Sequence, residues 1–254
     1  MIGRLLRGCV LGTVCLSLCL VAQPAEAQGW DYDLAIYLWA LGMDGKMTVR
    51  GVESDVDIGF SEIFDNLEMA FSTHFEANKR ESSWAWFFDV YWAALGNDIE
   101  RPQGKFDMDM AYVEAAGAFN TGRDFQLFAG LRYVSLDLDL QFDPQIPMPP
   151  EIPTQVKGDQ SWTDLMLGGR LKKDVGERWR FWGRADLAGF GLTDGTDLTW
   201  NLALMGQVRV SSRITLALGY RWLDIDYENK DDAFAMDVRQ EGPILAMNYS
   251  FYSR

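Results

Sequence analysis

The chain has 254 residues and a single histidine, so its options for proton transfer are few. His74 and Glu76 are two residues apart, a spacing that puts both side chains on one face of an extended strand. Such a pair can act as acid and base. Acyl transfer would also need a Ser or Thr nucleophile, and no Gly-x-Ser-x-Gly motif accompanies the pair. A lone His beside a Glu more commonly forms a structural hydrogen bond. One histidine also leaves no basis for a His-built metal site. The three cysteines, Cys9, Cys15 and Cys19, all fall within the first 27 residues. Beyond residue 27 there is therefore no thiol nucleophile, disulfide or Cys-ligated metal, and no cofactor is expected.

Carboxylates are the other chemistry-bearing groups. Asp107 and Asp109, Asp137 and Asp139, Asp194 and Asp197, Asp224 and Asp226, and Asp231 and Asp232 cluster near segment ends. Alternating Asp residues point to one side and can hold Ca²⁺ or Mg²⁺, which makes Asp137, Asp139, Asp224 and Asp226 candidate loop cation sites. The plainer reading is a solvated acidic rim. The net charge of −14 repels phosphates and excludes nucleic acid as a partner.

These groups are positioned by a period-2 pattern that runs from end to end. Leu198, Trp200, Leu202, Leu204, Gly206, Val208 and Val210 alternate with Thr199, Asn201, Ala203, Met205, Gln207, Arg209 and Ser211. Ten such segments occur, at 30–42, 68–80, 83–97, 105–120, 123–142, 158–173, 178–192, 197–211, 213–227 and 235–251. Each meets the ~9–11 residues that a tilted strand needs to cross a bilayer, and exceeds the ~5–6 typical of soluble sheets. Short turns at 79–82, 120–123, 174–177 and 211–212 alternate with longer links, including the Pro-rich 143–157 and 228–234. The prediction is an all-β fold: a closed antiparallel transmembrane barrel of about ten strands, with eight or twelve as alternatives.

Residues 43–67 are the ambiguous stretch. Lys46–Val56 reads as an added hairpin, and 61–67 as a short amphipathic helix capped by Ser61. If the hairpin joins the wall, the barrel has twelve strands. The runs 130–137 and 219–226 parallel each other, and in both the apolar face changes parity just after Tyr133 or Trp222. A similar change falls between Met110 and Ala111. These switches predict either β-bulges or the point where a strand leaves the membrane.

The first 27 residues read as a cleaved export signal: Arg4 and Arg7, an apolar stretch from Gly8 to Val21, and Ala25-Glu-Ala27 at the cleavage site. Residues 28–254 then form one barrel domain. With export, the short turns face the periplasm and the long links face outside. Trp30, Trp84, Trp86, Trp92, Trp179 and Trp200 fit interfacial girdles.

Together with the signal and the alternation, the terminal Leu245, Met247, Tyr249, Phe251 run resembles bacterial outer-membrane β-barrel proteins. Tyr37-Leu-Trp39-Ala-x-Gly42, Phe60-Ser-Glu-Ile-Phe-Asp-Asn-Leu67, Asp186-Leu-Ala-Gly-Phe-Gly191 with Thr199-Trp200, Gly219-Tyr-Arg-Trp222 and Gly242-Pro243 look like a porin-like proteobacterial group of such barrels. The resemblance implies an outer-membrane location and recognition of the C-terminal strand, 243–251, by the barrel assembly machinery. Members usually end on an aromatic residue, whereas Phe251 here is followed by three more residues.

If the apolar face meets lipid, the lumen carries His74, Glu76, Asp89, Glu114, Arg132, Asp164, Arg170, Arg184, Asp186, Arg209 and Arg221. Three readings follow. The first is a porin-like or narrow channel for small solutes, with these charges at its constriction. The second is a structural or adhesion barrel whose salt-bridged lumen is plugged and whose acidic rim meets divalent cations or lipopolysaccharide. The third, an outer-membrane lipid-modifying enzyme built on His74, lacks a nucleophile, and the chain reads as a non-enzyme.

Overall fold

Alternation of apolar and polar side chains builds twelve strands and one short helix among the described residues of the computed structural model, which are 29–252 except 50, 101–102, 143–154 and 192–195. In chain order these are β1 (Trp30–Trp39), β2 (Gly42–Val49), β3 (Val52–Ile58), α1 (Phe60–Asp65), β4 (Leu67–Lys79), β5 (Trp84–Glu100) and β6 (Gln103–Asn120). They are followed by β7 (Phe125–Phe142), β8 (Gln155–Val175), β9 (Trp179–Gly189), β10 (Thr196–Arg209), β11 (Ile214–Asn229) and β12 (Phe234–Ser250). The export signal and most of the Pro-rich link lie outside the described residues.

From β4 to β12 each strand pairs antiparallel with its successor, and β1 pairs with both β12 and β4. That closes a ring of ten strands, so that β1 and β12 present no free edge to each other. The hairpin does not join the wall, so the twelve-strand and eight-strand alternatives are both set aside. β2 instead prolongs β1 along β12: Trp39 faces Ile244 and Gly42 faces Glu241, one unbroken register. β3 folds back on β2, above the ring.

Two expectations need correction. Ser61 does not cap the helix; Gly59 is the N-cap, without a side-chain bond, and Asn66 Nδ2 closes the other end by donating to the Glu62 carbonyl. The link 228–234 is also not a long loop. β11 and β12 pair out to Asn229 and Phe234, leaving only residues 230–233 to turn. The far end of the barrel is thus built largely of prolonged strands.

The parity switches explain why. β6–β7 pairing is unbroken from Gly104↔Phe142 to Asn120↔Gln126, and β11–β12 pairing is likewise continuous, so no bulge lies at either switch. The chemistry of the two faces inverts instead. On the short-turn side Glu114, Arg132 and Arg221 face inward while Leu131 and Leu218 face outward. Beyond the switch Met110, Leu136 and Ile225 are buried inside, and Asp109, Asp137 and Asp224 occupy the outer face. A strand that leaves lipid for water must exchange its outward apolar residues for polar ones.

The outward band confirms this division. Ile36, Leu127, Leu131, Leu167, Leu218, Leu245 and Met247 are exposed around the ring, an apolar belt too large to face water. On β5, Trp84 and Trp92 stand eight residues apart, about 26 Å of extended chain, as an aromatic residue at each margin of such a belt requires. The repeat at Gly130 and Gly219 also has a physical basis. A Cβ at either position would lie 2.2 or 2.1 Å from the neighbouring strand's carbonyl oxygen (Ala115, Leu204), so only glycine permits that close approach.

Candidate functional site

The ring's inward side chains fill its lumen in tiers. At the centre Arg132, from β7, donates from Nε to Glu114 Oε1 at 2.8 Å and from Nη2 to Asp186 Oδ1 at 2.6 Å. Arg184, from β9, closes the square, with Nη2 2.7 Å from Glu114 Oε2 and Nε 2.7 Å from Asp186 Oδ2. Two guanidiniums and two carboxylates thus alternate around a ring, which offsets the desolvation of each. Asn201 Nδ2 donates to Asp186 at 2.6 Å, while its Oδ1 accepts from Arg221 Nε at 2.8 Å, bringing a third arginine alongside. Arg221 lies 3.8 Å from Glu114 and over the Trp39 ring.

A second group is carried by β4 and β8. Glu76 receives Arg170 Nη1 at 2.9 Å and Lys172 Nζ at 2.6 Å. His74 stands between carboxylates, with Nδ1 2.9 Å from Asp89 and Nε2 3.6 Å from Glu76. The Tyr37 hydroxyl donates to the other Asp89 oxygen at 2.7 Å. Arg170 and Arg184 both cover the Phe87 ring, so the charged groups are bracketed by aromatic faces. Asp164 is buried apart from the square, and accepts from the Thr196 hydroxyl and from Trp162 Nε1.

Ten of the eleven lumen residues named from parity therefore lie in the interior. Arg209 does not: it keeps the inward parity but sits at the short-turn mouth, where its Nη1 reaches the Glu177 carbonyl. Lys172, not among the eleven, joins the Glu76 group. Its inward parity with Arg170 was visible in the sequence. Tyr37 and Asn201, uncharged members of the network, carried no signal beyond parity.

Above the charges the lumen is apolar. Trp39, Tyr91, Tyr112, Val134, Leu136, Leu223, Ile225, Met236 and Val238 form one buried cluster. Two buried amides beside it are paired: Gln240 accepts from the Tyr112 hydroxyl, and Gln160 from Tyr227 and Asn229.

The candidate loop cation residues lie on β7 and β11 rather than on loops, and Asp139 and Asp224 are taken up by basic or amide groups. Asp139 is 3.2 Å from Lys157 and takes bonds from Gln155 and Gln141. Burial pushes its carboxyl up, but those donors outweigh it and hold the group below the usual range. Asp224 is paired with Arg239 at 3.1 Å. Asp226 is pushed the other way, first by partial burial and then by Asp237, Asp197, Asp224 and Glu228. Among the described residues no group of three or more acidic, His or Cys side chains converges on a metal position. Asp194 lies outside them.

No protein-family model matches the chain, and no curated protein matches it. Solved structures do. The outer membrane protease OmpT from Escherichia coli aligns with a TM-score of 0.49 at 7% identity, over 87% of this chain and 97% of that one. Ail, the attachment invasion locus protein of Yersinia pestis, gives 0.40 at 11% identity, over 88% and 99%. Neisserial surface protein A gives 0.32 at 12% identity, over 88% and 99%. These neighbours are bacterial outer-membrane β-barrels with different roles. With β12 closed onto β1, and an apolar belt around a charged interior, the chain is a closed ten-stranded antiparallel β-barrel with the outward surface of a transmembrane one.

Proposed function

We propose that the protein is a sealed outer-membrane barrel, a surface anchor that passes no solute and acts through the acidic outer face of its prolonged strands. One observation carries this reading: the inward groups are dry. Arg132 and Glu114 are each 1% exposed, and Leu223 and Val238, farther out, are 0% exposed. A water-filled pore would leave such groups wet. In this reading the barrel also does no covalent chemistry. His74 is taken up by two carboxylates, and the nearby Ser72 hydroxyl donates to the Tyr37 carbonyl.

The exposed face supplies the working surface. Asp226 stands opposite Asp237, beside Asp197, Asp224 and Glu228, five acids against which Arg239 pairs with Asp224 and Lys230 with Glu228. That field favours cationic partners, or divalent ions bridging to lipopolysaccharide. In this reading the short turns face the periplasm and this face lies outside.

Planar-bilayer recording tests the proposal. Refolded barrel that inserts, and shows the heat-modifiable gel shift, is expected to give no conductance steps. Discrete steps whose ion selectivity changes in Arg184→Gln would restore the channel reading.

A further inference from the structure

Within the lipid-facing band the wall is breached between β1 and β4. The β1–β4 ladder ends at Ile36↔Thr73, although β1 runs on to Trp39 along β12 and β4 runs back to Leu67 along β5. Just below the breach the Thr73 hydroxyl donates to the Ala35 carbonyl, and at its edge Ser72 donates to that of Tyr37. Above them the two strands part, and α1 lies over the gap. Sheet edges are not left bare in a bilayer, because lipid tails cannot satisfy backbone groups.

A cleft of about 40 Å³ lies in the wall here, and its lining includes both outward and interior residues. Leu38, Phe60 and Phe64 are exposed on the lipid side, whereas Trp39, Leu41 and Tyr91 belong to the buried interior cluster. Ala70 has the inward parity of Ser72 and His74 yet is exposed, as the breach requires. α1 is itself amphipathic: Ile63 is buried, Phe60 and Phe64 turn outward, and Ser61, Glu62 and Asp65 are exposed. Such a helix suits a membrane interface.

One buried polar group in the lining has no partner. Trp39 is 3% exposed, and its indole Nε1 lacks a hydrogen-bond acceptor. An indole N–H buried in this way calls for an acceptor from outside the chain. The breach adjoins Trp92, at the margin of the apolar belt, where Phe71 faces it across the β4–β5 pair. At that depth the surrounding solvent is itself a source of acceptors, the ester carbonyls of membrane lipids.

We propose that the β1–β4 breach is a lateral binding site for the acyl ester of a membrane lipid. The carbonyl accepts from Trp39 Nε1, and the chain leaves past Leu38, Phe60 and Phe64 into the bilayer. The cleft is too small for a whole lipid, so it holds the ester and the first methylenes while the rest of the molecule stays in the membrane.

Site-resolved photolabelling of the refolded full barrel tests this, in phosphatidylcholine vesicles doped with a phosphatidylcholine bearing a diazirine beside one acyl ester. Adducts are expected on the interior residues Trp39, Leu41 or Tyr91 as well as on outward residues such as Leu218. Adducts confined to outward residues overturn the site. Trp39→Phe keeps the ring and removes the donor. It should lower adducts at Leu41 and Tyr91 on the order of five-fold, as one lost hydrogen bond implies, without changing those at Leu218. Unchanged interior labelling in that variant overturns the role of Trp39. Ala70→Trp, or the smaller Ala70→Leu if the first does not fold, fills the cleft and should abolish interior adducts while the folded gel band persists. Interior labelling by a diazirine fatty acid but not by the phospholipid, or barrel-to-barrel cross-links through α1, would overturn a membrane lipid as the occupant.

Discussion

Replacing Glu114 by Gln tests whether the lumen is dry. Glu114 takes Arg132 at 2.8 Å and Arg184 at 2.7 Å, with Arg221 at 3.8 Å. A glutamine of the same shape keeps one acceptor oxygen but turns an NH₂ toward a guanidinium, leaving Asp186 alone against three arginines. Breaking a buried pair on one side costs about 3–5 kcal/mol, whereas the same change in a solvated pore costs about 0–1 kcal/mol. We expect a loss near 4 kcal/mol, roughly a thousand-fold in the folding equilibrium. Adding Arg132→Met restores the charge balance. The double variant should recover about 2 kcal/mol relative to the sum of the single changes. Urea unfolding of the refolded barrel in detergent, followed by tryptophan fluorescence, measures each value. A loss below about 0.5 kcal/mol for Glu114→Gln, with no coupling to Arg132, would refute the dry-lumen reasoning.

Three further outcomes are expected. Leu218→Arg, at a position 65% exposed, should cost about 2–4 kcal/mol in vesicles if that face meets lipid, and almost nothing if it meets water; unfolding in vesicles decides it. Gly219→Ala drives a Cβ to 2.1 Å from the Leu204 carbonyl oxygen and should cost about 1–3 kcal/mol, while Gly206→Ala, with nothing nearer than 4.0 Å, should not. Asp226 has a raised carboxyl pKa, so its stability contribution is present at acid pH and is lost as pH rises through the folded value. Asp226→Asn should therefore raise the unfolding midpoint at neutral pH, flatten its pH dependence and lose at high salt the part of its effect that comes from the neighbouring carboxylates.

Much of the barrel was legible because period 2 is a property of the backbone. Alternation at 197–211 places Asn201 and Ala203 opposite Trp200 and Leu202 whatever surrounds them, so strand positions and inward faces followed directly. The hairpin's place did not. Residues 42–49 alternate no differently from a wall strand, and only their shared register with β12 shows that β2 prolongs β1. The Ser61 cap failed because helix capping depends on backbone angles at Gly59 that composition does not reveal. Arg209 failed because parity reports a face and not a height along the barrel axis.

The sequence by itself determined that the chain crosses a bilayer as strands, which face of each meets lipid, and where the faces exchange at Tyr133 and Trp222. Tertiary structure decided which charges meet. Glu76 and Arg170 are 94 residues apart, and they touch only because closure of the ring brings β4 and β8 side chains to one axis. It also decided that the lumen is dry and that the wall opens between β1 and β4. Both depend on distances across the barrel, and a one-dimensional pattern of period 2 contains directions but no distances.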